Sequence, residues 1–285
     1  MARSSPSMSH RAVVIPTVIF LFALLAPATA GASQRVKLNA SFSPDRPGAS
    51  TTIHLGFNIT STTGDVPSPV TDVQIDLPAG MGLGTTDLGE ETCDPTMLLA
   101  VGPEGCSPNS RMGFGNATVE IPVGSEYTKI YAFVTIYMGV PEKQHTTMLL
   151  YAETRSPIVG QFLLPSELLP TSGIYGAELH TVIPLIPTWP EGPPAVVVHM
   201  ETTLGPSHLT YYTHRHGKLV PYTPEGMAVP ERCPHGGFPF HAAYRFDDGS
   251  KATATTSVPC PRTGEPRARR GHPRHLAPGA RHKRR

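Results

Sequence analysis

The 285-residue chain predicts an all-β fold: an antiparallel β-sandwich of Ig-like type, as one large sandwich or two smaller ones. Apolar and polar residues alternate with the two-residue period of half-buried strands, proline (32) and glycine (27) punctuate that alternation, and no long helical repeat interrupts it. This proline and glycine content lies below that of a disordered low-complexity chain, so the body is expected to fold.

Arg3 and Arg11 precede an uncharged apolar run, 12–26, which leads into Ala28-Thr29-Ala30 and Gly31. A basic start, a short hydrophobic stretch and small residues before a cut form a secretory signal peptide, 1–30. The run is shorter than the ~20 residues of a membrane span and contains Pro16, which weakens the rival reading of an N-terminal membrane anchor. The expected product is secreted or envelope-associated. It divides into a β domain, 31–260, and a disordered Arg-rich tail, 261–285.

Within the body, Ile53, Leu55, Phe57 and Ile59 share one strand face, with His54 and Asn58 on the other. Val73, Ile75 and Leu77 alternate with Asp72, Gln74 and Asp76 in the same way. Asp94 is the expected N-cap and Pro95 the first residue of a short helix ending near Gly102. Residues 121–126 contain Pro122, Gly124 and Ser125 and mark the best candidate subdivision. From Ile130 to Met138 both faces are apolar, which predicts a central strand covered on both sides, with 148–152 and 158–164 as its neighbours. A Pro-rich break at 184–194 separates these from a strand at 195–203.

Near the end, Phe240, Ala242, Tyr244 and Phe246 alternate, Asp247-Asp248-Gly249 turns, and Ala252, Ala254, Thr256 and Val258 alternate back. A two-residue loop would put Lys251 on the apolar face. A three-residue loop with Gly249 left-handed instead pairs Tyr244 with Ala252 and Ala242 with Ala254.

Four cysteines in an exported chain favour disulfides. Their clustering favours Cys93 with Cys106 and Cys233 with Cys260. No C-x-x-C pair supports a zinc site.

Charge is divided sharply. From 31 to 261 there are 12 Lys and Arg against 21 Asp and Glu, a net −9; from 262 to 285 there are nine Arg and Lys against Glu265, a net +8. Such an arm attracts anionic envelope polymers or lipid headgroups without sequence-specific nucleic-acid recognition; the alternative is a solvated tail.

Leu77-Pro78-Ala79-Gly80, Cys93, Cys106-Ser107-Pro108-Asn109-Ser110 with Gly113 and Ala117, and Cys233-Pro234-His235-Gly236-Gly237-Phe238-Pro239-Phe240 to Cys260-Pro261 together span most of the body. On these residues the chain resembles a group of uncharacterised secreted actinobacterial proteins with Ig-like β domains. The resemblance implies an all-β secreted protein and brings no activity with it.

No motif marks catalysis. His214 and His216 share a strand face, with His199, His208, His235 and His241 elsewhere, but no further ligand falls at metal-binding spacing and Arg215 and Lys218 flank the pair. G-x-S-x-G, S-x-x-K and H-E-x-x-H are absent. Glu90-Glu91 and Asp247-Asp248 read as loop and turn charges, and Met81-Gly82-Leu83-Gly84 as a turn rather than a nucleotide loop. Asn39, Asn58 and Asn116 begin glycosylation sequons. Tyr131, Phe133 and Tyr137 read as core residues that would stack on sugar rings if exposed, with Tyr211, Tyr212 and Trp189 comparable.

The expectation is a non-catalytic structural or adhesion protein of the cell envelope with no cofactor. The alternatives are an extracellular hydrolase or glycan-active enzyme, and an extracellular ligand carrier. A carrier would be distinguished by a closed apolar cavity between the sheets.

Overall fold

The computed structural model describes residues 34–82, 88–123, 126–188 and 192–261. The expected signal peptide, Trp189 and the basic tail from Arg262 lie outside the described residues, as do Gly124 and Ser125.

Strands β1 (Gln34–Ser43) and β2 (Ser50–Ser61) pair as a hairpin, with Leu38 opposite Phe57, and β3 (Val70–Pro78) follows. The helix α1 (Pro95–Val101) comes next. Then β4 (Arg111–Val123), β5 (Glu126–Met138), β6 (Thr146–Thr154), β7 (Gly160–Pro170) and β8 (Tyr175–Val182) form an antiparallel meander. Strand β9 (Val196–Leu204) runs between β2 and β4. A separate hairpin, β10 (Tyr211–Arg215) and β11 (Lys218–Tyr222), and the two-residue β12 (Met227–Ala228) precede the last pair, β13 (Phe238–Phe246) and β14 (Lys251–Val258).

Eleven strands follow one hydrogen-bonded path, β1-β2-β9-β4-β5-β6-β7-β8-β3-β13-β14, and β12 pairs with β2. Strands β1 and β14, its two ends, lie side by side, so the antiparallel sheet is nearly closed. The path runs from β1 to β14 without a break, so all eleven strands belong to one sheet. Strands β4 and β5 pair out to Val123 opposite Glu126, which places the candidate subdivision at 121–126 at the end of a hairpin within this sheet.

Alternation decides which side faces in. Leu38, Phe42, Ile53, Leu55, Phe57, Val73 and Ile75 are buried in one continuous core to which every strand of the path contributes. The opposite face carries Arg35, Lys37, Asn39, Asp72, Gln74 and Asp76, the reverse of a membrane barrel's apolar exterior. No helix among the described residues is long and apolar enough to cross a membrane.

The β13–β14 turn has the expected three-residue geometry. Tyr244 faces Ala252, Ala242 faces Ala254, Gly249 N–H donates to the Phe246 carbonyl at 3.0 Å, and Gly249 has φ 78°. The expected helix also forms. The Asp94 carboxylate accepts from the N–H groups of Thr96 (2.8 Å) and Met97 (3.0 Å), and Gly102 ends the helix with φ 81°.

Both disulfides join the expected partners, with Cα separations of 5.1 Å for Cys93–Cys106 and 5.8 Å for Cys233–Cys260. The first holds α1 over the outside of β5 and β6, where Cys93, Leu98, Tyr137, Leu149 and Tyr151 make a second small core. This revises the expectation for β5. Its outer face is covered only near Tyr137, and its neighbours are β4 and β6, with β7 one strand further on.

Candidate functional site

Strand direction separates the two ends of the sheet. At one end lie Ser43, Pro78, Arg111, Met138, Leu204 and Phe238, together with residues 79–82, 88–110 and 205–237. These long segments carry Leu88, Leu209, Tyr211, Met227 and Val229 into the core and plug it. Asn109 locks the plug: its side chain accepts from Tyr212 N–H at 2.8 Å and donates to the Tyr212 carbonyl at 2.9 Å, as a strand neighbour would. Gly89 N–H donates to the Tyr211 hydroxyl at 2.9 Å.

At the opposite end lie 62–69 and the described parts of the β8–β9 connection, 183–188 and 192–195. Strands β8 and β9 stand on different sides of the sheet, and residues 183–188 and 192–195, which leave the one and lead into the other, lie at this end. A small internal pairing stiffens this strap: Ala195 N–H donates to the Ile186 carbonyl at 2.9 Å and the Thr188 hydroxyl to the Pro193 carbonyl at 2.9 Å.

Beneath the strap is an apolar cavity of about 160 Å³, walled by strand residues such as Ala117, Ile130, Ala132 and Ala152 and roofed by 184–188. A smaller void of about 60 Å³ adjoins it, sharing Phe57, Leu150, Leu164, Ile183 and Met200. Small side chains on the neighbouring strands β4, β5 and β6, alanine at 117, 132 and 152, leave this space unfilled. None of the described residues around either void is charged. The hydroxyls of Thr181 and Thr202 are already engaged, the first with Ser166 Oγ at 2.6 Å and the second with the Leu55 carbonyl at 3.0 Å.

The cavity reaches the surface at Ile158 and Leu185, which are 41% and 44% exposed. Deeper in the core, Tyr244 packs edge-on against Phe57 with ring centres 5.4 Å apart, and its hydroxyl has no hydrogen-bond partner. Burial pushes the Tyr244 phenol far above its ordinary pKa.

An apolar void of this size can hold a small hydrophobic molecule; about 150 Å³ suffices for benzene. The prolines of 184–194 mark a break between strands and conceal the roof that 184–188 form. The signal was present in Ile183, Leu185 and Ile186, three large apolar residues inside a Pro-rich connection.

The candidate histidines scatter. His214 sits on β10 and His216 in its turn, His208 packs against Phe114, and His199 accompanies Asn58 across β2 and β9. Among the described residues no group of three or more His, Cys, Asp or Glu side chains is placed to hold a metal ion. Two His–carboxylate pairs do form on the outer face around β3: His241 Nδ1 with Asp76 Oδ2 at 2.7 Å, and His180 Nε2 with Asp72 Oδ2 at 2.8 Å. Both are cross-strand contacts that tie neighbouring strands, each contributing about 0.2–1 kcal/mol.

The aromatic candidates divide. Tyr137 and Tyr211 are buried, while Tyr131 and Phe133 are 71% and 49% exposed. Asn39, Asn58 and Asn116 all stand on the outward face. No family model, curated protein or solved structure matches this chain.

Proposed function

We propose that this protein is an exported binding protein that carries a small or chain-like apolar ligand inside its nearly closed β sheet. The cavity beneath 184–188 carries this reading: it is apolar, has no charged side chain among its described lining residues, adjoins a second void and reaches the partly exposed Ile158 and Leu185. A ligand there would gain about 25 cal/mol for each Å² of its apolar surface taken from water. A polar group on it would sit at the mouth, because the described lining offers no charged partner.

Export is part of the proposal. The N-terminal pattern and the resemblance to secreted actinobacterial proteins support it, and two disulfides suit an oxidising compartment. The Ig-like sandwich belongs here too, as the finer reading in which opposite walls of the sheet act as two layers. Envelope adhesion through the basic tail rests on residues outside those described, so the carrier is the reading that the geometry favours.

The test is calorimetric titration of the full chain with benzene, toluene and n-hexane, molecules of the size that a void of about 160 Å³ holds. Saturable binding of at least one of them is expected for the wild type, and its loss in Ala152→Phe, which fills the cavity. No saturable binding, or equal binding by the filled variant, rejects the carrier reading.

A further inference from the structure

We infer that the outer face of β5 and its neighbouring strands is a second binding site, one for a polysaccharide. Tyr131 and Phe133 point outward from a strand whose inward side chains, Ile130, Ala132 and Val134, are buried. Alternate strand positions share a face about 6.8 Å apart, so the two rings make a short exposed ridge. Tyr137, further along that face, is sealed under α1, so the ridge ends there.

Open concavities flank the ridge, and Tyr131 borders both. One, of about 530 Å³, is bounded by Tyr131, Phe133, Glu153 and Arg155. The other, of about 500 Å³, runs from Tyr131 past Thr118 and His199 to Asn58 and Asp65. Strand register explains the arrangement. Phe133 lies opposite Asn116 on β4 and Glu153 on β6, while Tyr131 lies opposite Thr118, which faces His199, which faces Asn58. His199 Nδ1 meets Asn58 Oδ1 at 2.8 Å, which fixes the imidazole within this row.

Rings set among amides, hydroxyls and carboxylates match the two surfaces of a sugar. The C–H face of a pyranose stacks on an aromatic ring, and its rim of hydroxyls reaches the polar side chains around it. A protein partner calls for an interface core depleted of charge, which Glu153 and Arg155 deny. A nucleic acid would meet Glu120, Glu153, Glu201 and Asp65 with its phosphates. The site is independent of the carrier cavity, which lies on the other side of the same strand.

The experiment is affinity electrophoresis of the full chain through native gels containing laminarin, mannan, xylan or soluble chitosan, with pull-down on insoluble chitin and cellulose beside it. At least one polymer is expected to retard or capture the wild type. For that polymer the affinity should fall at least about tenfold in Tyr131→Ala/Phe133→Ala and stay within about twofold in Tyr131→Phe. An unchanged thermal midpoint and an unchanged far-UV circular dichroism spectrum show that the double variant is folded; should its midpoint fall, Phe133→Ala alone decides. No binding by the wild type to any polymer, or equal binding by the alanine variants, overturns the inference.

Discussion

Gln34, the first residue of β1, donates its side-chain amide to the carboxylate of Asp248 in the β13–β14 turn, 2.9 Å away, and so bridges the two ends of the eleven-strand path. An odd number of antiparallel strands brings the first and last together running in the same direction. No strand ladder joins β1 to β14, and side chains hold the seam instead. Inside it, Phe42 packs against Phe238 and Phe240 with ring centres 5.4 and 5.9 Å apart.

Asp248→Ala should therefore lower stability by about 2 kcal/mol, the range of a hydrogen bond to a charged group. The same carboxylate accepts from Ser250 N–H at 2.9 Å, so the turn loosens as well. Urea unfolding measures the loss, and Asp248→Asn, which keeps an acceptor, should lose less.

Leu98 is fully buried beneath α1, against the outer faces of β5 and β6. Leu98→Ala should cost about 3 kcal/mol by leaving a cavity, and Asp94→Ala about 1 kcal/mol by removing the N-cap. Chemical denaturation tests both. Comparable losses for the two variants would contradict the assignment of α1 as a packed cover.

The Cys233–Cys260 bridge closes the longer loop, with a sequence separation of 27. On the chain-entropy model, replacing both cysteines by serine should lower stability by about 3–4 kcal/mol, and the same change at Cys93 and Cys106 by about 3 kcal/mol. Unfolding midpoints of the two double variants, compared without reductant, check the order.

Tyr244 predicts an alkaline limit. Its phenol is held neutral by burial, so its folded pKa lies above the unfolded value of about 10. Below about pH 10 both states keep the proton and the group adds no pH dependence; above it the unfolded state ionises first and stability falls as pH rises. Tyr244→Phe should flatten that fall. At neutral pH it should also raise stability by about 1 kcal/mol, since it removes a buried hydroxyl that has no partner. Unfolding free energies measured from pH 7 to 11 decide both points.

Local chemistry was legible where neighbours in sequence settle it. The parity of Phe246 and Lys251 selected the loop at Gly249, Asp94 and Pro95 marked the start of α1, and cysteine spacing paired the bridges. The cavity was not legible. Its wall combines Ala117, Ala132 and Ala152 from three strands with a roof from 184–188, and no periodicity shows that three alanines fall together on neighbouring strands. The exposure of Tyr131 was hidden for a similar reason, since α1 covers β5 only as far as Tyr137.

By itself, then, the sequence determined that these segments are strands, which face of each is apolar, and where turns, caps and bridges fall, because those depend on residues close in the chain. Tertiary structure alone decided that the strands share one nearly closed sheet, that 184–188 roof one end of it, and that a void with no charged side chain among its described lining remains beneath. A strand with one apolar face satisfies a sandwich and a closed sheet equally well. The choice between them rests on which distant strands exchange hydrogen bonds, and alternation carries no record of that.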